Sequence, residues 1–231
     1  MSLFTNVKKY RGTVFEVIVI VFGVMLSFLL NEIRLGIEDK DEAISILKQI
    51  KTDLEKDLYD TKINLQVEDS ASVKFDFLIR TIENRIEYSE NLDAEFSYLS
   101  ENSFLLPSKT GLQILNSKGV DFIKNDSLRV KFLTLHNYIY QERLGHFNIF
   151  NFNLQRMNQF VAENFHQTIE MYSKFELKPN DYNSLLDNTY FKNLLFSCME
   201  GHNNLFYVDS LIKVEILDLL PLLDKEIAKL Q

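Results

Sequence analysis

The chain has 231 residues, 46% of them hydrophobic, with 7 Gly and 3 Pro; this supplies a core and long helices and excludes wholesale disorder and turn-rich sandwiches or barrels. A net charge of −8 argues against a basic surface for DNA or RNA, so no nucleic-acid partner is expected. The single cysteine, Cys198, rules out an internal disulfide and a cysteine-based zinc site, and reads as a small buried hydrophobe.

Residues 1–13 carry Lys8, Lys9 and Arg11 and no acidic side chain. An apolar run of 17 residues follows, from Val14 to Leu30. As a helix it rises about 26 Å, close to the hydrocarbon thickness of a bilayer, which predicts a transmembrane helix over 14–31. The run ends Ser27-Phe28-Leu29-Leu30-Asn31-Glu32, without the small-residue pair of a cleavage site, so it reads as an uncleaved signal anchor. The far flank is mostly acidic, from Glu32 through Glu38, Asp39, Asp41 and Glu42. The positive-inside rule then predicts a single-pass protein with a cytoplasmic N-terminus and everything beyond about Asn31 outside. Within the span, Glu16 is a carboxylate in an apolar run, and Gly23 with Ser27 forms a small-xxx-small pair. These three residues are the candidate contacts with another membrane protein; the alternative for Glu16, one turn from the cytoplasmic edge and near Arg11, is an interfacial carboxylate that reaches the headgroups or pairs with a basic neighbour.

Past the span, Ile44, Leu47, Ile50, Leu54, Leu58 and Leu65 recur at three- and four-residue steps. They predict a stalk helix over 32–66, suited to a coiled coil or to packing on its own bundle. Residues 67–231 read as a helical bundle. A helix is predicted over Val73 to Tyr88 and a short one near Asp93 to Leu99, with a break at Pro107. Ser108 or Thr110 would cap a helix ending at Gly119, and Asn125-Asp126-Ser127 would open the next. A long helical stretch covers about Phe147 to Phe175, and Lys178-Pro179-Asn180-Asp181 reads as a loop. Two last stretches run from about Ser184 to His202 and from Leu205 to Leu230, with Pro221 as a kink or break. Strand alternation is nearly absent. The expected fold class is all-α, an N-terminal transmembrane helix running into a stalk and a bundle of about five or six helices. The many Asp and Glu residues on these helices read as solvated faces.

Chemistry is harder to find. His136, His146, His166 and His202 show no zinc spacing. Glu163-x-x-His166 matches half of a di-iron carboxylate motif, without the second pair that such a site needs. No phosphate loop, nucleophile elbow or Cys-His pair is visible. The expectation is therefore a non-enzymatic protein with no catalytic residue, no metal and no cofactor. The stretch holding Phe147, Phe150 and Phe152 reads as core, or as an apolar partner surface.

Two segments carry a family resemblance. The anchor from Phe15 to Asn31, with Glu16, Gly23 and Asn31 at matching positions, resembles that of the DUF6090-like family of single-span membrane proteins of Bacteroidota. So do Thr110-Gly111-Leu112-Gln113-Ile114-Leu115-Asn116-Ser117-Lys118-Gly119 and Ile123-Lys124-Asn125-Asp126-Ser127-Leu128-Arg129. Phe15 stands where the family has Gly, and Ile33 where it has Trp. The resemblance implies an inner-membrane protein of a Gram-negative bacterium with a periplasmic helical domain, and implies no activity.

The expected function is that of an accessory subunit of a larger membrane complex. It would contact a membrane protein partner, or further copies of itself as a homo-oligomer, through the span and the periplasmic domain. The alternative is a periplasmic small-ligand sensor, with its pocket in the bundle core, that signals laterally through another membrane protein.

Overall fold

The computed structural model describes residues 3–169 and 175–231. Its longest element, α1, is one helix of 81 residues, Leu3–Glu83. No proline falls within it, and the helix passes Gly36 without a break. Near its N-terminus it is long and apolar enough to cross a membrane, with a mean hydropathy of 2.1 over its most apolar window and none of that window buried. Side chains 15–34 are all exposed, so nothing else in the described chain covers this segment.

From Ile46 onward the same helix enters the core. Ile46, Leu47, Ile50, Leu54 and Leu58 are buried, and so are Ala71, Phe75, Leu78, Ile79 and Ile82. The predicted stalk and the predicted Val73–Tyr88 helix are thus a single element. The apolar face of the stalk packs on the chain's own bundle, which removes it as a coiled-coil seam.

Among the described residues eleven further elements follow. They are α2 (Asn91–Phe96) with a 3-10 turn (Ser97–Ser100), α3 (Thr110–Lys118) with a second 3-10 turn (Val120–Phe122), and α4 (Asp126–Thr134). A π-helical segment (Leu135–Ile139) leads into α5 (Tyr140–Asn164), and strands β1 (Phe165–Ile169) and β2 (Phe175–Pro179) precede α6 (Tyr182–Asp187) and α7 (Thr189–Leu230). Asn125 caps α4 as expected, its side chain accepting from the Leu128 amide at 3.2 Å. Asp181 and Asn188 cap α6 and α7 in the same way. Neither Ser108 nor Thr110 caps α3, which begins after Lys109 with no local side-chain cap.

The all-α class holds, with one addition. The helix expected to reach Phe175 ends at Asn164, and β1 and β2 pair antiparallel, Phe165 opposite Pro179 and Gln167 opposite Leu177. Phe165, Leu177 and Pro179 turn inward while His166 and Lys178 stay exposed, the period of two that a half-buried hairpin requires. The part of the expected helix at 170–174 lies outside the described residues. At the other end of the domain, α7 is one helix rather than two. Pro221 and Leu217 both lie on its exposed side, so the carbonyl that loses its helical donor can be solvated.

Helices α1 and α7 run antiparallel. Lys51 meets Asp224 near one end, and Ser72 bonds Asn203 further along. Between them lie two apolar cores. One joins Ile50, Leu54 and Leu58 to Ile212, Ile216 and Leu219. The other joins Phe75, Leu78 and Ile82 to Phe191, Leu195 and Cys198. Burial pushes the Cys198 thiol up to about 12, so it stays a protonated hydrophobe, as the sequence suggested. A band of buried polar groups separates the two cores.

Candidate functional site

Asp53, Asp57, Thr61, Asn64 and Glu68 recur along α1 at steps of three and four, the spacing that places side chains on one helical face. That face points inward, and all five are buried. The reading of these carboxylates as a solvated face is therefore corrected. Buried charge is costly unless paired, and the partners come from an extended strap, residues 101–109, that crosses α1 without a ladder of its own. The strap's backbone groups need acceptors and donors. The Ser108 amide donates to Asp57 at 2.9 Å, and the Gly111 amide at the start of α3 donates to Asp53 at 2.7 Å. Asn64 donates to the Phe104 carbonyl at 3.3 Å. The cap missing from α3's own sequence is thus supplied by α1. A Cβ at position 111 would sit 2.6 Å from Cγ1 of Ile50 and 3.0 Å from its Cα, so only glycine permits this approach.

Further along, Glu68 accepts from Ser103, and Nδ1 of His202 lies 2.5 Å from its other oxygen. Arg143 forms a two-pronged pair with Asp209 at 2.6 and 3.1 Å and donates to Ser103 at 3.2 Å. Tyr140 donates to Asp57 at 2.7 Å. Burial is the largest influence on Asp57, Glu68 and Asp209, and it holds each carboxyl above the ordinary range despite these donors. Ser103 and His202 both bond Glu68, so they form no nucleophile–base pair, and all three are closed to solvent. The cluster clasps α1, α5, α7 and the strap together. Gly201 completes it, since a Cβ there would lie 2.4 Å from the Phe150 ring.

Between the strap and α5 lies a cavity of about 230 Å³. Its floor holds His136, Tyr140 and Arg143, and its walls are mostly apolar. His136 sits in the π-helical segment, with its ring edge-on to Phe132 and Tyr140. Its buried Nε2 has no hydrogen-bond partner. Burial lowers this imidazole from 6.5 to about 4. Between those values the unfolded chain binds a proton that the folded chain does not, so His136 costs stability as pH falls through that window. The stability difference between wild type and His136→Phe should change by up to about 3 kcal/mol from pH 7 to pH 4. Parallel urea titrations across that range would measure it, and a pH-independent difference would refute the assignment.

The residues singled out from sequence fall in different places. Glu16, Gly23 and Ser27 are exposed on α1. Ser27 donates to the Gly23 carbonyl at 2.8 Å, and nothing lies within 4 Å of a Cβ at Gly23. Helical spacing puts Glu16, Ile20, Gly23, Ser27 and Asn31 on one face, and the last four line an open groove. Phe147, Phe150 and Phe152 do not form one surface. Phe150 is fully buried against His202 and Gly201, Phe147 packs edge-on to Phe104, and Phe152 is 61% exposed. Glu163 ends a helix and His166 lies on a strand, so they share no helical face. Among the described residues no cluster of His, Cys, Asp and Glu could hold a metal ion. The buried clasp and the strap cavity were both missed in the sequence. For the clasp a partial signal was present, polar residues falling in phase with an apolar stripe, without the strap that buries them; the cavity gave none. No family model matches the chain, and neither a curated protein nor a solved structure is found to resemble it.

Proposed function

We propose that the protein is a membrane-anchored accessory subunit whose span docks against a helix of a larger membrane complex. One observation carries this reading. The span is wholly exposed, and one of its faces differs from the rest, bearing Glu16, Gly23, Ser27 and Asn31 among Val, Ile, Leu and Phe. Small residues let a second helix approach closely, and a carboxylate or amide in a bilayer needs a polar partner. The flanking charges favour a cytoplasmic N-terminus. The resemblance of the anchor to the DUF6090-like family favours a bacterial inner membrane, with the helical domain in the periplasm. A binding role also suits the interior of the domain, where Glu68 is spent on Ser103 and His202, and Arg143 on Asp209, in a closed clasp.

The test is purification from native membranes through a C-terminal tag, comparing wild type with a Glu16→Gln, Gly23→Leu double variant. Wild type should bring down a stoichiometric membrane protein, and the double variant should lose it while reaching the membrane at the same level. Equal recovery by both would sink the proposal. A clean homo-oligomer would redirect it to self-association.

A further inference from the structure

A cavity of about 440 Å³ opens at the base of the domain, the end nearest the exposed apolar segment of α1. It lies between the start of the buried part of α1, the residues around the second 3-10 turn and the last turns of α7. Its volume is that of a small-ligand pocket. Most of the lining is apolar. Ile46, Leu47 and Ile123 are buried beneath it. Ala43, Phe122 and Leu230 stay half-buried, so part of each side chain is left for an occupant to take out of water.

One charged group in this lining is poorly satisfied. Glu226 is buried, its side chain 7% exposed, and a buried carboxylate is costly unless well paired. Its contacts are long. Asn125 donates to Oε2 at 3.4 Å, and Nζ of Lys229 stands 3.9 Å from Oε1, beyond hydrogen-bond range. The clasp carboxylate Asp209, by contrast, is held at 2.6 and 3.1 Å. Around the opening the charges have both signs. Asp39, Lys40, Lys124 and Lys229 line it and are exposed. Lys40 has no acidic residue three or four positions away on α1, and neither it nor Lys124 makes an ion pair among the described residues. A simple anion would leave Glu226 as it is, and a simple cation would meet three lysines. A zwitterion answers both. Its ammonium can donate to Oε1 of Glu226, where Lys229 stands off, and its carboxylate can accept from Lys229 and the lysines beside it. The Lys229 side chain is 72% exposed and gives up no short bond when it turns to a ligand.

We infer that this cavity binds a free apolar α-amino acid, its ammonium on Oε1 of Glu226, its carboxylate on the lysines at the opening and its side chain against Phe122 and Leu230. Opposite charges a few bonds apart, joined to one apolar group, are what the lining matches. The inference is independent of the docking role of the span, since it concerns the base of the domain and a soluble ligand. Binding supplies the short donor that the buried carboxylate lacks and ties the end of α7 to α1.

The experiment is equilibrium dialysis of radiolabelled L-leucine against the full-length protein in nanodiscs, with empty nanodiscs subtracted. The expected result is saturable binding. Three unlabelled competitors separate the contacts: 4-methylpentanoate lacks the ammonium, leucinol lacks the carboxylate, and L-serine lacks the apolar side chain. Each should compete at least about tenfold more weakly than L-leucine itself. Ala43→Phe, a change at a half-buried position that fills the cavity, should abolish binding. Glu226→Gln keeps the shape of the side chain and should weaken L-leucine about tenfold. If Glu226→Gln does not fold, the preference of wild type for L-leucine over 4-methylpentanoate carries the same comparison. Absence of saturable binding, equal competition by any of the three analogues, or binding that survives Ala43→Phe would each overturn the proposal. So would an unchanged affinity in a folded Glu226→Gln variant.

Discussion

Replacing Arg143 with Leu is expected to destabilise the helical domain by about 3–5 kcal/mol, because it strands a buried carboxylate. The side chains of Arg143 and Asp209 are only 3% and 0% exposed, and the two-pronged geometry leaves no room for water to take the place of the guanidinium. The same change deprives Ser103 of a donor and loosens the strap at the point where Glu68 also holds it. Removing both charges should behave differently. An Arg143→Leu, Asp209→Leu double variant should recover most of the loss, since an apolar pair of similar volume avoids the desolvation of two ions. Urea unfolding of the full-length protein in nonionic detergent, followed by far-UV circular dichroism, measures both. A loss below about 1 kcal/mol for the single variant, or no recovery in the double, would mean that the pair is not the buried clasp described here.

The second large effect separates two neighbouring phenylalanines. Phe150→Ala should cost about 3–5 kcal/mol, because it opens a cavity against Gly201 and His202 that the rigid helices α5 and α7 cannot fill. Phe152→Ala should stay within about 0.5 kcal/mol of wild type, since its ring lies in solvent beside Arg156. The same unfolding assay applies. Equal effects would refute the placement of α5, because a helix rotated by half a turn would exchange the two roles. The contrast also bears on partner binding. Of the three aromatic residues read as core or as an apolar partner surface, Phe152 and, in part, Phe147 remain available to a partner, while Phe150 belongs to the core.

What was legible in the sequence follows from the strength of each local signal. The span stood out because its apolar run needs no tertiary context, and the helical class because three- and four-residue periodicity extends over most of the chain. Boundaries were less legible. The stalk and the helix beyond it looked separate because the apolar stripe gives way to Thr61, Asn64 and Glu68, which are in phase with it but polar. Their burial depends on a strap some 40 residues later in the chain, as the bond from Asn64 to Phe104 shows. No local pattern carries such information. The hairpin was missed because each strand spans only five residues and shows few apolar alternations, so the helix before it seemed to continue. Pro221 suggested a break, and only its place on the exposed side of α7 explains why the helix survives it. The cavity was illegible for a related reason, since its two walls come from the strap and α5, and the significance of His136 lies in an atom left without a partner.

The unbroken course of α1 also has a mechanical consequence. The helix that bears the exposed apolar segment is the same one that carries Asp53, Asp57 and Glu68 into the clasp, with no break in the helix between the two roles. From Leu30 to Glu83 the axis extends about 80 Å at the usual helical rise. A rigid tilt of about 10° at the apolar end would swing the far end sideways by about 14 Å, and a rotation of that end about its axis would turn the whole polar face of α1 with it. The domain is mounted as a lever arm, and whatever fixes the angle of the span also aims the strap.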